Sequence, residues 1–143
     1  MEVAFEAKPV LPDQLRMAYA VMLLDAPQMS FPDFRKWACG SRGAALNGIF
    51  DRRGYIHGIF RNRVETRPVN INRFVVFDLI LSDAISSTLV TSMLEALLRA
   101  ARLRGCDQMT VEATRQHKYG HKLVEMLSNR GFVDESVLMA RQL

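Results

Sequence analysis

Phe74-Val75-Val76-Phe77-Asp78-Leu79-Ile80-Leu81 runs through Ser82-Asp83 into an amphipathic stretch that stops at Gly105. Alternation sets Phe74, Val76, Asp78 and Ile80 on one face and Val75, Phe77, Leu79 and Leu81 on the other. Apolar residues on both faces predict a central strand covered on both sides. After it, Ile85, Leu89, Met93, Leu97 and Ala100 recur at steps of three or four, the spacing of a helix lying on a sheet. Asp83, or Ser82, is the expected N-cap. A short strand from Gln108 to Ala113 follows, then a second helix ending in Asn129-Arg130-Gly131-Phe132, then a terminal strand. Gly131 suits the left-handed end of a helix, with Phe132 packing back on the last turn.

The stretch before Phe74 reads as a meander. Gly43 to Phe50 and Tyr55 to Val64 form two strands joined by Asp51-Arg52-Arg53-Gly54, a short polar connection with Gly in the left-handed position. A longer link, Glu65 to Asn72, leads to the central strand. Nearer the N-terminus, Val3 to Ala7 is a short first strand, with Val3 and Phe5 on one face and Pro9 and Pro12 ending it. Asp13 is placed to cap a helix over Gln14 to Asp25, with Leu15, Ala18, Tyr19, Met22 and Leu23 as its apolar stripe. Ser30 caps a second helix with Pro32 in its first turn, and Gly40 ends it. Phe31, Phe34 and Trp37 share a face there; a spacing of three is what a buried helical stripe looks like.

With 143 residues, 49% hydrophobic and 24% charged, the chain has ordinary globular composition and the length to bury one core. No apolar run approaches the ~18 residues of a membrane span, and the acidic start Met1-Glu2-Val3-Ala4-Phe5-Glu6 lacks the pattern of a signal peptide. Cys39 and Cys106 have no metal-like spacing and read as reduced thiols of a cytoplasmic protein. The net charge of +4 is uneven. Arg52, Arg53, Arg61, Arg63, Arg67 and Arg73 face only Asp51 and Glu65, so this segment carries the whole excess. Such a patch is either a solvated hairpin or a binding surface for nucleic acid or an acidic partner.

The order strand, helix, helix, three antiparallel strands, helix, strand, helix, strand resembles the GNAT acetyltransferase superfamily from end to end. The most specific piece is Gly120-His121-Lys122-Leu123-Val124-Glu125-Met126-Leu127-Ser128-Asn129-Arg130-Gly131-Phe132, which is similar to the family's final helix. Leu138-Met139-Ala140-Arg141-Gln142-Leu143 is similar to a family C-terminus. The resemblance implies a single α/β domain over residues 1–143, its mixed, mostly antiparallel sheet flanked by helices. It also implies acetyl-CoA as cofactor, held by Leu81, Ser82, Ser86, Ser87, Thr88, Leu89 and Val90. The first two helices and the strand from Tyr55 to Arg63 would shape the acceptor site. The sequence departs from the family at two points. Its pyrophosphate loop is degenerate: aligning Met93 to Leu98 on the family's helix puts Thr88 and Val90 at the glycine positions, and no glycine lies between Ser82 and Arg104. Val90 would crowd the phosphates there, while Ser86, Ser87 and Thr88 still offer N–H groups at a helix N-terminus. At the second point, Leu127 stands where many members place the Tyr that protonates the leaving thiolate, and Gly120 at the usual Asn position.

Amine acetylation needs a base, N–H donors near the thioester oxygen and an acid for the sulfur. Asp78 is the foremost carboxylate: mid-strand among apolar residues it is either a desolvated base or a residue paired with an arginine or a backbone bulge. Glu112, on the next strand, lines the cleft or faces solvent, and Tyr119 is the candidate replacement acid. His57 is either structural or faces a substrate groove. His117 and His121 are four apart but lack a third ligand, so no metal is expected. Three functions stay open. One is an acetyl-CoA-dependent N-acetyltransferase acting on a small-molecule or protein amine. A second is a non-catalytic binding or assembly module of the same fold. The third is an arginine-patch binder of nucleic acid or an acidic partner. An exposed sheet edge or the second helix offers a homodimer contact.

Overall fold

The computed structural model describes residues 4–40, 44–82, 86–113, 120–135 and 139–143. In chain order these form β1 (Glu6–Pro9), a 3-10 turn (Pro12–Gln14), α1 (Leu15–Asp25), α2 (Phe31–Cys39), β2 (Leu46–Phe50), β3 (Ile56–Arg67), β4 (Ile71–Leu81), α3 (Ser87–Leu103), β5 (Gln108–Val111) and α4 (Gly120–Ser128). The sheet order is β1-β2-β3-β4-β5; the first four strands are antiparallel and β5 lies parallel to β4. A parallel neighbour needs a crossover, and α3 supplies it.

Each face of the sheet carries its own core. Under α3 and α4, Phe60, Phe74, Val76, Leu81, Met93, Leu97 and Leu127 pack together. Under α1 and α2, Ala18, Val21, Met22, Phe34, Leu46, Ile56 and Ile59 do so. Covering β4 on both sides is what its doubly apolar sequence calls for. The aromatic stripe is core, as its spacing predicts: Phe34 is fully buried, and Phe31, Trp37 and Tyr19 pack around it.

Several local expectations shift. The first strand begins at Glu6 rather than Val3, and Val3 lies outside the described residues. Pro9 is tolerated in β1 because that strand is the sheet's edge. The chain passes through a 3-10 turn before α1, so Asp13 sits inside that turn and caps nothing. Ser30 does cap α2, its hydroxyl accepting from Asp33 N–H at 3.2 Å. The expected long link between β3 and β4 is a turn at residues 68–70: the strands pair as far as Arg67 and Ile71, and Val69 and Asn70 take positive φ. α3 is capped by Ser86, whose Oγ accepts from Leu89 N–H, and not by Ser82, whose hydroxyl donates to the His57 carbonyl; Asp83 lies outside the described residues.

Both glycine stops close as the sequence predicts. Gly105 and Gly131 have positive φ. In each case the following N–H returns to the helix: Cys106 to the Ala101 carbonyl at 3.0 Å, Phe132 to the Leu127 carbonyl at 3.1 Å. The terminal strand is a correction: residues 132–135 and 139–143 form none, and 136–138 lie outside the described residues.

Candidate functional site

The decisive local event is a bulge in β4. Arg61 of β3 pairs with Phe77 and Ile59 with Ile80, so two β4 residues, Asp78 and Leu79, oppose the single residue 60. Asp78 takes φ 53 to accommodate the extra residue. One extra residue exchanges the faces of everything beyond it. Phe74 and Val76 pack under α3 before the bulge; after it Leu79 and Leu81 do, while Ile80 packs under α1 and α2. The expected single face of Phe74, Val76, Asp78 and Ile80 is therefore broken in the middle.

The bulge also opens the sheet. β5 accompanies β4 only from Arg73 to Val76, with Glu112 N–H adding a last bond to the Val76 carbonyl at 2.9 Å. Beyond that point no strand of the described residues runs along this side of β4. Ser82 N–H turns to β3, donating to the His57 carbonyl at 2.8 Å. Alternation back from Ser82 aims the backbone groups of Leu81 and Leu79 at the opened side. Next to this free edge begins α3, whose first-turn N–H groups have no intrahelical acceptors.

Asp78 stands at the mouth of the opening. Its side chain is 47% exposed, so of the two readings the sequence allowed, pairing with an arginine at a backbone bulge is what forms and the desolvated base is not; the bulge turns the carboxylate out of the core. Its Oδ2 lies 3.5 Å from Arg61 NH1. Arg61 is 1% exposed. Its guanidinium stacks on Trp37 at 4.0 Å and donates to the carbonyls of Trp37, Ala38 and Ala44. Burial pushes its pKa down, and the Asp78 carboxylate opposes that shift. Glu112 is exposed at the end of β5, with Oε1 3.5 Å from Arg63 NH2. Arg63 also donates to Glu65 at 2.9 Å and lies over Phe77. The Glu65 bond, with the Glu112 charge, holds Arg63 above its usual range against partial burial. Asp78 and Glu112 are thus brought to one open end of the sheet. Tyr119 and His117, and the side chain of His121, lie outside the described residues.

The expected cofactor residues divide by what each offers. The Val90 side chain is 1% exposed and packs into the α3 core, so it does not crowd the helix N-terminus. The Leu81 side chain is likewise buried. The Ser82 hydroxyl donates to the His57 carbonyl at 2.7 Å, and the Ser86 hydroxyl caps the helix. Thr88 is exposed. What Leu81, Ser82, Ser86, Ser87, Thr88, Leu89 and Val90 hold in common at this edge is backbone. Arg130, not anticipated from the sequence, reaches this region and donates to Thr91 Oγ1 at 2.6 Å. Arg61 was missed as well; its signal was its place directly after Ile59-Phe60 within an apolar strand.

Two other features fall away from the site. His57 pairs with Asp51 across the β2–β3 hairpin, Nε2 to Oδ2 2.8 Å, and its ring meets Phe5 edge-on. The arginine cluster is not one free patch: Arg61 is buried, Arg63 faces Glu65 and Glu112, and Arg73 faces Glu135 at 2.6 Å. Arg52 and Arg53 remain exposed at the hairpin tip. Among the described residues no helix is long and apolar enough to cross a membrane.

No family model matches the chain, and no curated protein matches it. Solved structures do. A ribosomal-protein-alanine N-acetyltransferase from Brucella melitensis aligns with a TM-score of 0.69 at 15% identity, covering 98% of this chain and 99% of that one. A glucosamine-6-phosphate N-acetyltransferase from Arabidopsis thaliana aligns at 0.61 and 14%, covering 97% and 98%. An aminoglycoside N-acetyltransferase in complex with CoA aligns at 0.64 and 11%, covering 99% and 97%. The fold of this chain is the GNAT fold.

Proposed function

We propose that this chain transfers an acetyl group from acetyl-CoA to an amine. The observation that carries the reading is the bulge at Asp78 and Leu79, which leaves β4 an unaccompanied edge beside the N-terminus of α3. An extended ligand with amide groups can bond to such an edge as an added strand. Phosphates suit the helix N-terminus. The residues present fit the cofactor in part: Leu81 contributes main-chain groups on the open edge, and Ser87 and Thr88 the first-turn N–H donors, while the N–H groups of Ser82, Leu89 and Val90 are held by the His57 carbonyl, the Ser86 hydroxyl and the Ser86 carbonyl. Arg130 adds a cation near that turn. That one aligned structure is a complex with CoA supports the same reading.

Bound acetyl-CoA supplies an activated acyl thioester. Asp78, or Glu112 through a water, takes the proton that an ammonium must lose before its nitrogen can attack. Backbone N–H groups fixed on the opened edge are suited to charge developing on the thioester oxygen. Tyr119 is the proposed source of the proton needed at the leaving sulfur. In balance, a C–N bond forms and a C–S bond breaks; of the two protons the ammonium loses, one ends on a carboxylate before attack, and the second, lost as the amide forms, replaces the proton that the acid gives to the sulfur.

Calorimetric titration with acetyl-CoA, and with CoA for comparison, tests the binding. Where binding is found, Asp78→Asn is expected to lose transfer in an amine screen run at saturating acetyl-CoA; unchanged transfer would remove Asp78 from the mechanism. A second reading, a non-catalytic module of this fold, is favoured by one observation: Leu127 is packed into the core at the family's Tyr position. Absence of saturable binding selects that reading.

A further inference from the structure

We infer that Arg61 is a positioning residue, holding the Asp78 carboxylate and its left-handed backbone in place and so keeping the β4 edge open. It is the one charged side chain fully buried among the described residues. Burying a guanidinium is expensive unless its donors are met. Two of its nitrogens are met by main chain: Nε by Ala44, and NH2 by Trp37 and Ala38 at the C-terminal end of α2. There the last-turn carbonyls lack intrahelical donors and the helix dipole favours a cation. Trp37 covers the flat face of the group.

Tying α2 to the sheet uses NH2 alone, and Nε holds Ala44 ahead of β2. NH1 is buried with no hydrogen-bond partner among the described residues, and it faces Asp78 Oδ2 at 3.5 Å. Asp78 in turn holds φ 53, a left-handed conformation that Asp enters more readily than most residues but that still costs more than extended backbone. The unused donor and the strained residue therefore meet at the bulge. A lysine, with a point charge in place of a planar fork, cannot satisfy α2 and Asp78 together. The consequence for acyl transfer rests on the function proposed above; the structural claim does not.

The test compares wild type, Arg61→Met, Arg61→Lys and Arg61→Met/Asp78→Gly by backbone amide NMR of the unliganded protein, then by acetyl-CoA titration. Loss of the clamp is expected to shift the amides of Phe77 to Ile80 and to weaken acetyl-CoA binding on the order of tenfold, about the value of one hydrogen bond. Glycine accepts positive φ unaided, so adding Asp78→Gly is expected to restore both. Amide shifts confined to α2, or no restoration by glycine, would overturn the inference. If Arg61→Met does not fold, Arg61→Lys with and without Asp78→Gly carries the same comparison. A wild type that binds no acetyl-CoA removes the acyltransferase reading, and the amide shifts then decide the role of Arg61 by themselves.

Discussion

Val69 stands at φ 70 at the tip of the β3–β4 turn, 85% exposed. A β-branched residue gains nothing there to offset the left-handed backbone. Val69→Asn is expected to raise stability by about 0.5–1 kcal/mol, since Asn visits that region readily. Denaturant unfolding checks it, as a higher midpoint at unchanged slope. Asp51 offers a pH prediction. Burial raises its pKa, but the His57 bond and the Tyr55 and Arg53 N–H groups outweigh that and hold it below 3.8. A carboxylate with a lowered folded value contributes stability above its unfolded value and loses it as pH falls through the folded one. Asp51→Asn is therefore expected to flatten the acid limb of the stability profile, where the wild-type carboxylate takes up its proton, as followed by thermal melts. Arg61 shows where reading single residues stops. Six arginines in one segment read as surface; burial of one of them depends on Trp37, 24 residues away, which the local sequence does not contain.

Among the elements, α3 gives the sharpest prediction. The Ser86 hydroxyl occupies Leu89 N–H, one of the donors a phosphate would use. Ser86→Gly is expected to lower stability by only a few tenths of a kcal/mol and to tighten acetyl-CoA binding by freeing that donor. Weaker binding would mean that the hydroxyl itself is the ligand. The same helix shows what was legible. Its apolar stripe from Leu89 to Ala100 and its stop at Gly105 follow from local periodicity and from glycine's freedom, and both are found, while Ile85 lies outside the described residues. Its start was not legible, because Ser82, Asp83 and Ser86 are all good caps and only the path off β4 chooses among them. The β4 bulge left little signal either. Phe74 to Leu81 alternates without a glycine, and the extra residue shows only once β3 supplies the register. The one hint was Asp78 itself, a carboxylate in mid-strand that the sequence allowed to mark an arginine pair or a bulge; both are found, and the side chain faces outward.

Across the whole molecule, the element order carried the fold further than any motif did. Identities of 11–15% over nearly full lengths show a shared fold. The local cluster of arginines, which suggested a nucleic-acid surface, is broken up by carboxylates from outside the segment, Asp78, Glu112 and Glu135, while the net charge of the chain stays +4. Retention on polyanions is accordingly expected to be weak, and any that is found should fall in Arg52→Ala/Arg53→Ala and with added salt. The acyltransferase reading rests on the opened β4 edge beside α3. Titration of the wild-type protein with acetyl-CoA in a calorimeter tests that edge most directly. Saturable one-to-one binding in the micromolar range is the expected result. No saturable heat with acetyl-CoA or with CoA would contradict it.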